Sequence, residues 1–112
     1  MSTNERRAFP RIKDEGLPLK LNAGDFDMAT HTLDISASGL YCKISKEIPL
    51  MSRVRLVLMM PERLEVDGVV VREHPVIIDG AIKHYDAAIF FDNLSQRSRD
   101  TIMNYIARKR EG

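Results

Sequence analysis

The sequence predicts an all-β domain with one C-terminal helix, folded as a small antiparallel barrel or sandwich with the helix across one end. Three observations predict it. Short runs rich in apolar and β-branched residues recur from Leu17 to Phe91. Turn-forming residues and prolines separate them. The hydrophobic period changes from strand-like to helical only after Asn93.

Taken in order, the first segment is polar and basic. Residues 1–13 carry Arg6, Arg7, Arg11 and Lys13 against Glu5. Pro10 and Pro18 oppose a continuous helix, because each lacks an amide hydrogen and restrains the residue before it. Residues 1–16 therefore read as a flexible, extended arm, and residues 17–112 as the folded body of a single domain. Leu17 to Leu21 is the first strand signal, ended by a turn at Asn22-Ala23-Gly24-Asp25, and Met28 to Asp34 runs back out. Leu40, Cys42 and Ile44 alternate with Tyr41 and Lys43, the mark of a half-buried strand. Val54 to Met60 is a denser apolar run stopped by Pro61.

Val66 to Arg72 and Ala87 to Phe91 have the β-branched and aromatic content of buried strands. Between them Asp79-Gly80 suits a two-residue hairpin turn, since both positions tolerate positive φ. That predicts one long hairpin from about residue 66 to residue 91. After the capping region Asn93-Leu94-Ser95, Ile102, Met103, Tyr105 and Ile106 fall at helical spacing. Arg108, Lys109 and Arg110 would end the helix, where cations complement its dipole.

The bulk properties exclude several classes. A chain of 112 residues builds one ordinary core without staples. A net charge of +1 gives no global attraction to nucleic acid or acidic membranes, so an anion site must come from local clustering. The single cysteine, Cys42, precludes an internal disulfide and suits a reducing cytoplasm. No apolar stretch approaches the 18 or more residues of a spanning helix. The basic N-terminus has no apolar segment behind it and does not read as a signal peptide. The expected location is the cytoplasm.

Two motifs carry chemistry. In Arg7-Ala8-Phe9-Pro10-Arg11 two guanidiniums stand four positions apart on a proline-stiffened chain, and Arg6 adds a third. Guanidinium is planar, always charged and able to grip phosphate through paired hydrogen bonds. It can also read the O6/N7 edge of guanine. Alone, such a cluster is most simply a solvated tail. The second motif is Asp34-Ile35-Ser36-Ala37-Ser38-Gly39. Strand alternation places Asp34 and Ser36 on one face and Ile35 in the core. A carboxylate there can accept from the N1–H and amino group of guanine, and a hydroxyl beside it can donate or accept. Gly39 would permit a tight turn or leave room for a ligand. Alone, this loop is a polar hairpin turn.

Together, the pair Arg7-x-x-x-Arg11 and Asp34-x-Ser36-x-x-Gly39 resembles the two-part signature of PilZ domains, bacterial receptors for the second messenger cyclic di-GMP. The resemblance continues through Val54 to Met60, Gly68 to Arg72, and Tyr85 to Phe91 with the helix after it. It implies a six-stranded antiparallel β-barrel with the arginine arm closing over its outer face. It also implies ligand contacts by Arg6, Arg7, Arg11, Asp34, Ser36 and Gly39. In this family an arginine in the place of Arg6 accompanies a stacked pair of cyclic di-GMP molecules, so two ligands per chain are expected. Many members have glycine in the closing strand where this chain has Ala87 and Ala88. That departure lies away from the signature, so little effect on binding is expected from it beyond a change in local packing.

The rival classes fare less well. Ser36, Ser38, His31 and Asp34 invite a catalytic triad, but there is no Gly-x-Ser-x-Gly elbow. On a regular strand His31 and Asp34 would also face opposite sides. No catalytic residue is assigned. His31, His74 and His84 are scattered and Cys42 reads as core, so neither a metal site nor a cofactor is expected. Oligonucleotide-binding barrels need aromatic platforms along a basic groove. Aromatics are only 6% of this chain, and Phe90 and Phe91 fall within an apolar strand pattern. The closest alternative is a PilZ-like protein–protein adaptor that binds no nucleotide. In either case a domain without catalytic groups acts through what it contacts, so a downstream protein partner is expected.

Overall fold

The structure, a computed structural model, describes residues 11–13 and 16–111. Its elements are β1 (Arg11–Lys13), β2 (Pro18–Asn22), β3 (Asp27–Ser36), β4 (Gly39–Ile44), β5 (Arg53–Met60), β6 (Glu62–Ile78), β7 (Ala81–Asp92) and α1 (Gln96–Glu111). Every pairing is antiparallel. The strands run β3-β2-β5-β6-β7-β4 and close through a β3–β4 pairing. β2 pairs with Asp27–His31 of β3, and β1 with Asp34–Ser36 farther along. Together β1 and β2 act as one interrupted stave, so the closed barrel is six-stranded, as expected. Of residues 1–16, read as a flexible arm, Arg11–Lys13 is strand and Gly16 an exposed turn residue; the others lie outside the described residues.

Alternation fills the barrel. Leu19 and Leu21 of β2, Leu40, Cys42 and Ile44 of β4, and Val54, Leu56, Leu58 and Met60 of β5 all point inward and are buried. Val66, Val70, Ala87 and Ile89 complete the wall from β6 and β7. Gly68 occupies an inward position facing Ile89. A Cβ there would come within 2.5 Å of Ile89 Cγ2, so glycine sits where the interior is tightest.

β6 begins four residues earlier than its apolar content indicates. Glu62, Arg63 and Glu65 are charged, yet with Leu64 they pair with Val57–Met60 of β5 across the turn at Pro61. At the far end Asp79 (φ 54°) and Gly80 (φ 80°) form the expected turn, both with positive φ. β5 reaches only to Val69 and β4 only to Tyr85, so the end of the β6–β7 hairpin runs past both neighbours. Ile77, Ile78 and Ile82 near its tip are exposed.

α1 starts where the sequence places it. The Ser98 amide donates to Ser95 Oγ at 3.1 Å, an N-cap that satisfies one of the free amides of the first turn. Ile102, Tyr105 and Ile106 are buried against the barrel core, with contacts to β1, β3 and β5. Arg108, Lys109 and Arg110 lie in the last turn. Among the described residues no helix is long and apolar enough to cross a membrane.

Candidate functional site

β3 carries an irregularity that decides which side chains share the outer face. Thr32 pairs with Cys42 and Asp34 with Tyr41, so three residues of β3 span two of β4. The extra residue, Leu33, is a β-bulge. Its consequence is visible in burial: Thr32 and Ile35, three apart, are both fully buried. His31 and Asp34 therefore both face outward, which corrects the expectation from regular alternation that they lie on opposite sides. Beyond the bulge the alternation resumes, with Ile35 inward and Asp34 and Ser36 on the other side.

Cross-strand register then builds two rows. The first joins Asp34 on β3, Tyr41 on β4, Ala88 on β7 and Arg72 on β6. Arg72 Nη1 donates to Tyr41 Oη at 3.4 Å. A carboxylate, a phenol and a guanidinium thus stand along one line over a small residue. The second row joins Gly39, Phe90 and Val69. β1 lies beside the β3 end of the first row, with the Arg11 backbone opposite Ser36 and that of Lys13 opposite Asp34. Arg6 and Arg7 lie outside the described residues.

Ala88 is 8% exposed and occupies the first row between Tyr41 and Arg72. The alanine departure is therefore not remote from the signature. β7 is distant from Asp34 in sequence, but its pairing with β4 brings it onto the same face. Ala87, by contrast, is buried in the core.

The turn that follows Asp34 is held from within. Ser36 Oγ lies 3.1 Å from Ser38 Oγ, donates to the Gly39 carbonyl at 3.3 Å and accepts from the Ser38 amide at 3.3 Å. Only 2% of Ser36 is exposed, and its hydroxyl shapes the turn. Gly39 is required by packing. A Cβ there would overlap the Ile89 carbonyl oxygen and lie 3.2 Å from Phe90 Cα. The Phe91 amide also donates to the Ser38 carbonyl at 2.9 Å, which extends the β4–β7 ladder into the turn.

Cys42 lies in the barrel core, and His74 and His84 lie on the β6–β7 hairpin. Cys42 is fully buried, and burial, reinforced by the negative charge of Asp86, pushes its thiol up to about 12. Such a thiol is neither a nucleophile nor a ligand near neutral pH. His74 pairs in register with Asp86 and His84 with Val76, so the two histidines sit diagonally across the hairpin. His84 Nε2 lies 3.2 Å from Asp86 Oδ1. Among the described residues no group of three or more His, Cys, Asp or Glu side chains is placed to hold a metal ion.

Tyr41 and Arg72 were not singled out from the sequence as site residues. Tyr41 was within reach, because it lies two positions beyond Gly39 on the outer phase of β4. Arg72 was not. Its place depends on a second bulge, at Val71, where Val70 pairs with Ile89 and Arg72 with Ala88.

Comparison with known proteins agrees with this fold. The family model described as PilZ domain matches residues 5–108. No curated protein sequence matches the chain. Among solved structures, the Bacillus subtilis inhibitor of motility MotI/DgrA superposes with a TM-score of 0.79 at 17% identity, covering 95% of this chain and 52% of that one. This chain thus spans about half the length of the Bacillus protein. The PilZ domain of Escherichia coli YcgR, solved with c-di-GMP, gives a TM-score of 0.72 at 16% identity and covers 95% and 93% of the two chains. The PilZ domain of CeSA from a cellulose-synthesizing bacterium gives 0.66 at 13% identity, covering 89% and 97%. A six-stranded barrel, a C-terminal helix and a family match over nearly the whole sequence lead to one assignment: the chain belongs to the PilZ domain family.

Proposed function

We propose that this domain is a receptor for cyclic di-GMP and that its outer face, with Asp34, Ser36 and Gly39 beside β1, is the binding surface. The observation that carries this reading is the register of β1, which runs the segment holding Arg11 directly against Asp34–Ser36. That pairing supports a split site, in which the arginines of one segment meet the carboxylate of another. Asp34 accepts from a guanine N1–H and amino group, and the guanidiniums of Arg6, Arg7 and Arg11 hold the phosphates. Arg72, at the far end of the Asp34 row, adds positive charge on the same face. The structures of YcgR and of MrkH from K. pneumonia with c-di-GMP support the ligand class.

Two ligands per chain are part of the proposal. A stacked pair brings four phosphates together, and Arg6 supplies a further guanidinium against their repulsion. The output is a conformational change read by a partner protein, because this reading gives the domain no reaction of its own. Calorimetric titration with cyclic di-GMP, with GMP and cyclic GMP as controls, tests the reading. Saturable binding of the cyclic dinucleotide alone supports it, and the stoichiometry counts the ligands. A folded protein that binds none of the three would leave the adaptor reading in its place.

A further inference from the structure

A concavity adjoins the turn that follows Asp34. It is a cleft of about 450 Å³ between the Ser36–Gly39 turn, the end of β7 and the first turns of α1. Ser38, Phe90, Phe91, Asn93, Leu94 and Arg99 line it, together with Ala37. Two of these residues lack an explanation in the fold. Phe90 lies next to Gly39 in the ladder and presents an aromatic ring to solvent, with 55% of the residue exposed. Burial in the core would hide such a ring, and nothing in the barrel needs it outside. Arg99 is half-buried, yet no carboxylate pairs with it among the described residues. It also stands near the start of α1, where a cation opposes the helix dipole.

We infer that this cleft seats a guanine base, with Phe90 as its stacking platform and Arg99 as the reader of its O6/N7 edge. The inference rests on the cyclic di-GMP reading and extends it. Each ligand has two guanines and a stacked pair has four, whereas the Asp34 carboxylate provides for one. Ser38 belongs to the cleft and its hydroxyl touches that of Ser36, so the two seats are contiguous. An aromatic ring offers a π-face to any base. A guanidinium prefers guanine, whose O6 and N7 both accept, over adenine, whose N6 amino group donates toward it.

The test is a titration of the full chain with cyclic di-GMP and cyclic di-AMP. It compares the wild type with Phe90→Ala, Phe90→Trp, Arg99→Ala and Asp34→Ala. Phe90→Ala is expected to weaken cyclic di-GMP binding by about 5-fold to 150-fold, the range of one base–aromatic stack. Arg99→Ala is expected to narrow the preference over cyclic di-AMP by about tenfold. The chain has no tryptophan, so Phe90→Trp installs a sole indole whose emission should be quenched at saturation. If the wild type binds and Asp34→Ala does not, while Phe90→Ala and Arg99→Ala match the wild type within twofold, the cleft is not a base seat and the receptor reading survives. If the wild type binds neither nucleotide, the receptor reading itself falls, and the cleft assignment with it.

Discussion

Gly39 and Ile89 are packed backbone to backbone, so closely that any Cβ on residue 39 would overlap the Ile89 carbonyl oxygen. The obstacle is main chain, which cannot rotate aside. Gly39→Ala must therefore push β4 from β7 at the very turn that carries Ser36 and Ser38. A loss of about 1–3 kcal/mol is expected, the usual cost of overpacking. Gly68→Ala meets the Ile89 Cγ2 at 2.5 Å but backbone only at 3.1 Å, at the Phe90 carbonyl oxygen, and should cost less. Urea denaturation of the two variants checks the order.

Helix docking should depend on one face of α1. Ile102 is fully buried, whereas its neighbour Met103 is 40% exposed. Ile102→Ala is expected to destabilise the domain by about 2–5 kcal/mol, and Met103→Ala by no more than about 0.5 kcal/mol. Equal effects on the thermal midpoint would show that α1 does not pack as described.

The cap of that helix makes a smaller, separable contribution. Ser95→Ala removes the acceptor of the Ser98 amide and should cost about 1 kcal/mol, with Ser95→Asp recovering most of it. Chemical denaturation of the pair measures this.

Cys42 gives a pH dependence with a definite sign. Its thiol is pushed from an ordinary 9.0 to about 12 in the folded state. The unfolded chain therefore loses this proton first, and stability falls as pH rises through the window between those values. Near neutral pH both states keep the proton and the residue contributes nothing to pH dependence. The wild type should lose more stability than Cys42→Val between pH 7.5 and pH 10.5 in parallel denaturant titrations. Native Cys42 should also resist alkylation at pH 8.5 and react once the protein is unfolded.

Much of this was legible in the chain itself. Alternation at Leu40, Cys42 and Ile44, the Asp79-Gly80 turn and the cap at Ser95 each express a local rule, and each element formed where its rule put it. The β6 extension over Glu62–Glu65 was hidden because a charged strand edge has no apolar signature; its partner strand creates it. The site was legible only in part for the same kind of reason. Asp34 and Ser36 were placed on one face correctly, since no bulge lies between them. His31 was misplaced because the bulge at Leu33 reverses the phase, and a bulge is set by pairing with β4. Arg72 and Ala88 come onto the Asp34 face through long-range register, which one sequence does not display.

The central claim is that the outer face around Asp34 binds cyclic di-GMP with the arginine segment. The most direct measurement is a calorimetric titration of the wild type beside Asp34→Ala and the Arg7→Ala/Arg11→Ala double variant, each first shown to be folded. Saturable binding by the wild type and a loss of at least tenfold in affinity in both variants are expected. Binding that persists unchanged in both would contradict the claim.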